Sequence, residues 1–131
     1  PNMQTELRYL KKKVDAGAYY IITQMFFDNE KFFRFVDLCR KEGILVPIIP
    51  GLKPLSTQRQ LTVIPQTFFV DIPQDLVLEI EKCTSPEEVK QVGVEWTIAQ
   101  AKELLAAGIP GLHFFTKGVA GSIRKIAEAV F

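Results

Sequence analysis

The hydrophobic residues of this chain alternate between helical stripes and short runs of strand length. Near the amino end, four apolar residues recur every three or four positions: Met3, Leu7, Leu10 and Val14. This spacing predicts a helix over about residues 5–16, and Gly17 is a typical residue for ending it. Three apolar runs have the length and the β-branched or aromatic content of strands: Tyr19–Gln24, Leu45–Ile49 and Gly111–Thr116. Nearly continuous apolar strands are typical of a parallel sheet that is covered on both faces.

Helix-start residues precede two of the segments that connect these strands. Asp28 or Asn29 is expected to cap a helix that ends at Gly43 and buries four residues: Phe32, Phe33, Val36 and Cys39. In Ser85-Pro86-Glu87-Glu88, serine is the expected cap, proline takes the first helical position and Glu88 completes a capping box. This second helix should end before Gly108 and bury Val89, Val92, Trp96 and Ala99.

The pattern is weaker between residues 51 and 81. The strand ending in Pro50-Gly51 should lead into a loop, and a short helix from Ser56 or Thr57 is expected to stop before Pro65. Pro73 is expected to open another short helix with Leu76, Leu78 and Ile80, and a last helix is predicted over residues 119–130. The order is α-β-α-β-helices-β-α. Three parallel strands cannot close a barrel, so the chain is either a small open sheet or the last three units of an eight-unit barrel.

Composition bounds the class of protein. A chain of 131 residues with 47% hydrophobic residues fits one domain, residues 1–131, with a real core. Sixteen basic and fifteen acidic residues give a net charge of +1, which offers no electrostatic argument for nucleic acid. The cluster Lys11-Lys12-Lys13 is expected to be a solvated helix face. Because the first residue is Pro1, we expect that the chain was processed or cut from something longer.

Cysteine and histidine usage argues against disulfides and metals. Cys39 and Cys83 are expected to be reduced thiols of a cytoplasmic protein. The only histidine is His113, and no Cys-x-x-Cys or His-x-x-x-His spacing occurs. Since His113 lies mid-strand among aromatic residues, we expect a buried imidazole with a backbone partner. No apolar run reaches the roughly 20 residues of a membrane span, and we expect no signal peptide.

Several linked motifs are specific for one known family. They are Leu10–Ala18, Ile22–Asp28, Pro47–Gly51 with Pro54 and Ser56, Gly93–Glu95, and His113–Thr116. With these motifs at family spacing, the chain resembles the methylenetetrahydrofolate reductases over essentially its whole length. The resemblance implies a (β/α)₈ TIM barrel that holds FAD across the carboxyl ends of its strands. This chain looks like units six to eight, with the first five absent.

The resemblance also implies a chemistry and a set of contact residues. NAD(P)H reduces the flavin, which passes hydride to 5,10-methylenetetrahydrofolate and gives 5-methyltetrahydrofolate for methionine biosynthesis. Gln24 matches a strand-six glutamine that contacts folate and nicotinamide, and Gln60 matches a second folate contact. The remaining matches are FAD-contact positions: Lys13, Lys12, Tyr9 and Glu6. Glu6 and Tyr9 are not the commoner residue types there.

The chain departs from the family pattern in three respects. Where members often carry an arginine for the folate tail, this chain has Lys117-Gly118-Val119, and Lys117 is the candidate substitute. The phenylalanine that stacks on nicotinamide would fall near Ile64. The acidic residue that assists protonation comes from the first strand of the barrel, which this chain does not contain.

Without the resemblance, the same residues have plainer interpretations. Gln24 would be a polar strand end that bonds neighbouring backbone. Thr57-x-x-Gln60 is itself a capping box, which would occupy the Gln60 amide. Lys12 and Lys13 would be surface lysines, and the phenylalanines between residues 26 and 35 would be core with one ring at the rim.

Three hypotheses for function follow. The first is the carboxyl-terminal part of a flavin-dependent methylenetetrahydrofolate reductase, with folate and pyridine nucleotide as partners. The second is an inactive partial barrel without FAD or folate binding of its own, which exists as a homo-oligomer or beside its missing amino-terminal half. The third is an unrelated parallel-sheet module such as a response-regulator-like fold, for which the chain lacks the acidic cluster and lysine at strand ends.

Overall fold

Three parallel strands connected by helices form the fold. The computed structural model describes residues 3–116 and 119–131. The helices are α1 Met3–Asp15, α2 Asn29–Lys41, α3 Gln60–Phe68, α4 Gln74–Glu81, α5 Pro86–Ala106 and α6 Ala120–Val130. The strands are β1 Ile21–Met25, β2 Ile48–Leu52 and β3 His113–Phe114, in the sheet order β1-β2-β3. The predicted fold class, parallel strands with crossover helices as in the carboxyl-terminal part of a (β/α)₈ barrel, is confirmed.

The predicted helix caps are confirmed in their main features. The Asp28 carboxylate accepts a hydrogen bond from the backbone N–H of Glu30 at 3.0 Å, so Asp28 rather than Asn29 is the cap of α2. The Ser85 hydroxyl accepts from the N–H of Glu88 at 3.3 Å and caps α5. The Glu88 carboxylate reaches back to the N–H of Thr84 at 2.8 Å, one residue earlier than a standard capping box requires.

The prediction for the second strand was wrong by three residues. Pairing with β1 begins only at Ile48, opposite Ile21. The preceding segment is a connection because the Arg40 guanidinium holds two of its carbonyls, those of Ile44 at 2.7 Å and Val46 at 2.9 Å. The strand then includes Pro50-Gly51, in which the sequence pattern ended it, and extends one residue further to Leu52.

Two further boundaries also differ from the predictions. α3 begins at Gln60, after successive turns over residues 57–59, and it continues through Pro65 instead of stopping before it. A proline inside a helix removes one backbone hydrogen bond and crowds the preceding turn, which short helices tolerate at a cost. β3 is two residues long because it pairs only with the end of β2, through Gly51 with His113 and Leu52 with Phe114.

The core has two parts. One lies between a sheet face and helices α1, α2 and α5, and it contains Leu7, Phe26, Phe32, Cys39, Ile44, Ile48, Leu52, Ala101 and Leu104. The other joins the carboxyl end of β1 to α3, α4 and the start of α5, and it contains Met25, Phe27, Leu55, Ile64, Leu76, Ile80 and Val89. Because side chains alternate along a strand, Ile22 lies on the face opposite that of Ile21 and is exposed, and Gln24, two residues later, is also exposed.

No helix within residues 3–116 and 119–131 has the length and apolar character needed to cross a membrane.

Candidate functional site

Gln24 lies in a bulge near the carboxyl end of β1. The pairs on either side are Ile22 with Ile49 and Met25 with Gly51. Two residues of β1, Thr23 and Gln24, therefore lie opposite a single residue of β2, Pro50. Pro50 has no N–H to donate, and the N–H of the next residue, Gly51, donates to the Thr23 hydroxyl at 3.0 Å. Bulges re-aim side chains and are common beside active sites, so this irregularity marks the strand end as a candidate site.

The Gln24 carboxamide is fixed by its own backbone neighbour. Its Oε1 atom accepts a hydrogen bond from the N–H of Met25 at 3.0 Å. Met25 is buried, whereas Gln24 is exposed on the open face of the sheet. An amide both donates and accepts hydrogen bonds, so the Gln24 amide keeps its N–H₂ donors while its oxygen is held in this way.

A groove of about 660 Å³ runs along β1 between α1 and α2. Its walls are mostly apolar, and its lining residues are Thr5, Glu6, Tyr9, Leu10, Ile21, Ile22, Thr23, Gln24, Phe26, Lys31, Phe32 and Phe35. The groove brings together three of the residues predicted from the sequence: Glu6, Tyr9 and Gln24. Three phenylalanines of the predicted set also line the groove: Phe26 and Phe32, which are buried, and Phe35, which is half-buried.

Of the predicted FAD-contact residues on α1, Glu6 and Tyr9 line the groove and Lys12 and Lys13 do not. Glu6, Tyr9 and Lys13 are spaced three and four residues apart, so they form one line along the helix. The Lys13 ammonium lies 4.6 Å from the centre of the Tyr9 ring, within cation–π distance. Lys12 is exposed beside this line, whereas Lys11 donates to the carbonyl of Gly43 and pairs with Asp15.

On the α2 wall, Lys31 forms an ion pair with Asp71. The hydrogen bond from Lys31, together with its positive charge, lowers the pKa of the exposed Asp71 carboxyl. Lys31 was not predicted as a site residue, since nothing local in the sequence separates it from an ordinary surface lysine. Lys31 lines the groove, and its charge there is balanced by Asp71.

Gln60 is placed away from this groove and has a structural partner. Its Oε1 accepts hydrogen bonds from the backbone N–H groups of Ser56 at 2.7 Å and Thr57 at 3.0 Å. The bond from the Thr57 N–H to the Gln60 side chain is one of the two hydrogen bonds of the capping box predicted from Thr57-x-x-Gln60. Gln60 is not among the residues that line the 660 Å³ groove. Its folate contact therefore stays a prediction, with the side-chain oxygen already engaged.

The structure describes two of the residues at which the sequence departs from the family pattern, Ile64 and Val119. Ile64 and Val119 are both buried, at 3% and 4% exposure, so neither side chain is available to a ligand. Lys117, the candidate replacement for the family arginine, lies outside the described residues. His113 is half-buried and packs edge-on against Phe115 at 4.9 Å. In the described part of the chain, no group of three or more His, Cys, Asp or Glu side chains is placed to hold a metal ion.

With this geometry in view, the comparison with known proteins identifies the family. Residues 1–130 match the methylenetetrahydrofolate reductase family. The chain belongs to this family.

Curated relatives from distant organisms carry the same name. A probable methylenetetrahydrofolate reductase (NADPH) from Caenorhabditis elegans is 37% identical over 132 residues, which cover 99% of this chain and 20% of the relative. Methylenetetrahydrofolate reductase (NADH) 1 from Arabidopsis thaliana is 40% identical over 88% of this chain and 20% of its own length. The 5,10-methylenetetrahydrofolate reductase of Salmonella typhimurium is 40% identical over 86% of this chain and 38% of its own length. This reductase chain thus spans about a fifth to two fifths of these relatives.

A solved structure shares the fold. It is an uncharacterised protein from Clostridium thermocellum described as binding two copies of 5-methyl-5,6,7,8-tetrahydrofolic acid. The two structures superimpose with a TM-score of 0.64 over 97% of this chain and 47% of the other, at 21% sequence identity. At this identity, the likeness supports the architecture of the reductase chain.

Proposed function

We propose that this chain is the carboxyl-terminal part of the barrel of a flavin-dependent methylenetetrahydrofolate reductase. The reaction transfers a hydride from NAD(P)H, and a proton from solvent, to 5,10-methylenetetrahydrofolate, giving 5-methyltetrahydrofolate and NAD(P)⁺. The observation that carries the proposal is the family match over residues 1–130, joined to a groove into which Gln24 presents its amide. In cells, the enzyme would work in the cytoplasm, in the one-carbon metabolism that supplies methionine biosynthesis.

Folate is the proposed ligand of the open sheet face at Gln24. A solved structure with this fold is described as binding 5-methyl-5,6,7,8-tetrahydrofolic acid, which is the product of the proposed reaction. The Gln24 amide can donate to and accept from the edge of such a ring, which carries both kinds of group. Gln60 would make a second contact through its amide N–H₂, since its Oε1 holds the Ser56 and Thr57 backbone.

The groove residues fit part of a flavin. The groove volume of about 660 Å³ is in the range of small-molecule sites, and the apolar walls of the groove suit a flat ring system. Lys13 and Lys12 would offer positive charge to the cofactor's phosphates, while Glu6 and Tyr9 would meet its polar groups. FAD, when bound, supplies the hydride relay between the two substrates, and this chain's residues orient it.

A second candidate function is that of an inactive partial barrel. The free edges of β1 and β3 favour it, because a sheet of three strands leaves both of them without strand partners among the described residues. Under this proposal, FAD and folate bind only when the strands of the preceding barrel units complete the site. The two candidates agree on the family and differ on what the chain binds alone.

Flavin titration separates the two candidates. We expect the isolated 131-residue chain to bind FAD more weakly than micromolar, because a few peripheral contacts rarely offset the several kcal/mol lost on immobilising a large ligand. A complete reductase that includes this sequence should bind FAD and form 5-methyltetrahydrofolate. A sub-micromolar dissociation constant for the isolated chain, measured by flavin fluorescence quenching, would contradict the partial-barrel interpretation. A complete reductase that turns over no folate would contradict the proposed reaction.

A further inference from the structure

The turn that follows Gln24 is held by side chains of α5. The Trp96 indole N–H donates to the carbonyl of Phe27 at 2.9 Å, and the Gln100 amide donates to the carbonyl of Phe26 at 3.2 Å. Phe26 and Phe27 are both buried, and buried carbonyls require partners. Trp96 and Gln100 are 69 and 74 residues distant in sequence from the carbonyls they bind. The segment that follows β1 is thus hydrogen-bonded to α5, a helix about 70 residues later in the sequence.

Asn29 connects the same turn to α5 a second time. The Gln100 amide also donates to Asn29 Oδ1 at 3.1 Å, and Asn29 Nδ2 donates to the Gln100 carbonyl at 3.1 Å and to the Glu103 carboxylate at 2.8 Å. Asn29 and Gln100 are only 8% and 5% exposed. We name Asn29, Trp96 and Gln100 the α5 clamp. A buried polar network in which every member is bonded fixes geometry more firmly than apolar packing alone.

The clamp acts where the β-ladder does not. Pairing between β1 and β2 stops at Ile22 and resumes at Met25, so no ladder pair fixes Gln24. The Gln24 carboxamide is instead bonded to the N–H of Met25, one residue before the first clamped carbonyl at Phe26. The Met25 peptide is therefore held from two directions: by its ladder pair with Gly51 and by the turn that begins at Phe26, which α5 holds.

We propose that Trp96 and Gln100, together with Asn29, are positioning residues that set the Gln24 carboxamide for folate. This inference rests on the proposed function for the role of Gln24, whereas the mechanical link from α5 to Met25 stands on the contacts alone. The clamp residues touch no reacting atom and act through the turn.

Two variants remove clamp donors, and only Gln100→Met also keeps the side-chain volume. Gln100→Met removes the buried amide, and Trp96→Phe removes the indole N–H but keeps an aromatic ring. Gln91→Met is the matched control, because it makes the same change on α5 at an exposed residue whose amide bonds only Glu95 among the described contacts. Hydrogen exchange in the 131-residue chain tests the mechanical link. The Met25 amide should exchange about fivefold faster in both clamp variants, as expected for the loss of roughly one net hydrogen bond.

The reference for this measurement is the Ile44 amide, which bonds the Cys39 carbonyl at 2.9 Å in the core. Its exchange should be unchanged in both clamp variants, and Gln91→Met should alter neither amide. If Met25 and Ile44 accelerate equally, the variants merely destabilise the fold and the clamp proposal is wrong. Unchanged exchange at Met25 overturns it as well.

Turnover in a complete reductase tests the functional half with a double-mutant cycle. Gln100→Met should lower kcat/KM for 5,10-methylenetetrahydrofolate about fivefold on its own and have little further effect when Gln24→Ala is already present. Equal effects in both backgrounds would show that Gln100 does not act through Gln24. If the wild-type enzyme turns over no folate, the proposed function fails, while the exchange measurement still decides whether the clamp controls Met25.

Discussion

At the scale of single residues, Gln24 combines exposure with a fixed carboxamide. Its neighbours Ile22 and Met25 belong to the β1–β2 ladder, while Gln24 itself belongs to the bulge opposite Pro50. Because its Oε1 atom is already held by the Met25 N–H, little side-chain freedom remains to be lost when a ligand binds. One local hydrogen bond at an exposed residue contributes little to stability, so the fold alone does not explain this side chain.

Replacing Gln24 by alanine in a complete reductase should affect catalysis more than stability. We expect kcat/KM for folate turnover to fall by the factor that corresponds to about 1–3 kcal/mol of transition-state stabilisation. This is the range for leaving a buried polar group of the ligand without its hydrogen-bond partner. The melting temperature should change little, because the side chain is exposed. Gln91→Ala, an exposed glutamine on α5, is the control. A lowered melting temperature with unaltered kinetics would show that Gln24 is structural.

The two cysteines should react very differently with thiol reagents. Cys39 is completely buried, and Cys83 is only partly so. At pH 8, Ellman's reagent should modify Cys83 in the native protein and reach Cys39 only after urea unfolding. Cys39→Ala and Cys83→Ala assign the two reactions. Equal rates for both thiols in the native protein would contradict the placement of Cys39 in the core.

Burial also predicts a pH dependence of stability. Desolvation raises the pKa of the Cys39 thiol, against a smaller opposing effect of the Arg40 charge. The unfolded thiol ionises near pH 8.5, so above that pH the unfolded chain loses this proton before the folded chain does. The stabilising contribution is therefore complete below about pH 8.5 and is lost as the pH rises toward the raised folded value. Urea titrations at pH 7 and 9.5 should show that the free energy of unfolding falls more for the wild type than for Cys39→Ala. Equal decreases in the two proteins would contradict a contribution from the Cys39 thiol.

At the scale of elements, the sequence predicted those features that depend on neighbouring residues. The caps Asp28 and Ser85 and the apolar stripe of α1 are local patterns, and the structure contains them. The start of β2 was misplaced because it depends on Arg40 binding carbonyls of the connection and on pairing with a strand more than twenty residues earlier. The bulge at Gln24 and the α5 clamp had no local signal, since their partners are 26 to 74 residues apart.

The contact between α5 and the segment after β2 gives a test at this scale. A Cβ atom built on Gly93 would lie 1.9 Å from the Leu55 carbonyl oxygen, so Gly93→Ala forces the two segments apart. We expect a loss of about 1–3 kcal/mol in the free energy of unfolding, the usual range for overpacking. Gly121→Ala in α6 is the matched control, because nothing lies within 4 Å of its Cβ position. It should be neutral or stabilising by up to about 1 kcal/mol. Equal effects in urea titrations would refute the close approach.

At the scale of the whole molecule, the sheet is unusually open. β1 and β3 are its two edges, and each exposes backbone groups to a possible partner strand. The face opposite the helices carries Ile22, which is 41% exposed, whereas Ile48 on the helix side is only 3% exposed. The curated relatives are two and a half to five times longer than the region they share with this chain, at 38% and 20% coverage. We infer that further barrel strands cover these surfaces in a complete reductase.

The isolated chain should therefore self-associate through this open side. Light scattering at high micromolar concentration should give a mass well above 14.8 kDa, because soluble monomers rarely expose a contiguous apolar groove beside a free strand edge. Ile22→Lys, which puts a charge on the open face of the edge strand, should shift the mass toward that of the monomer. Leu78→Lys is the matched control: Leu78 is 45% exposed, close to Ile22, but lies on α4 away from the sheet. A wild-type chain that is monomeric and unfolds cooperatively would mean that the open side needs no partner, and the partial-barrel proposal would lose its physical basis.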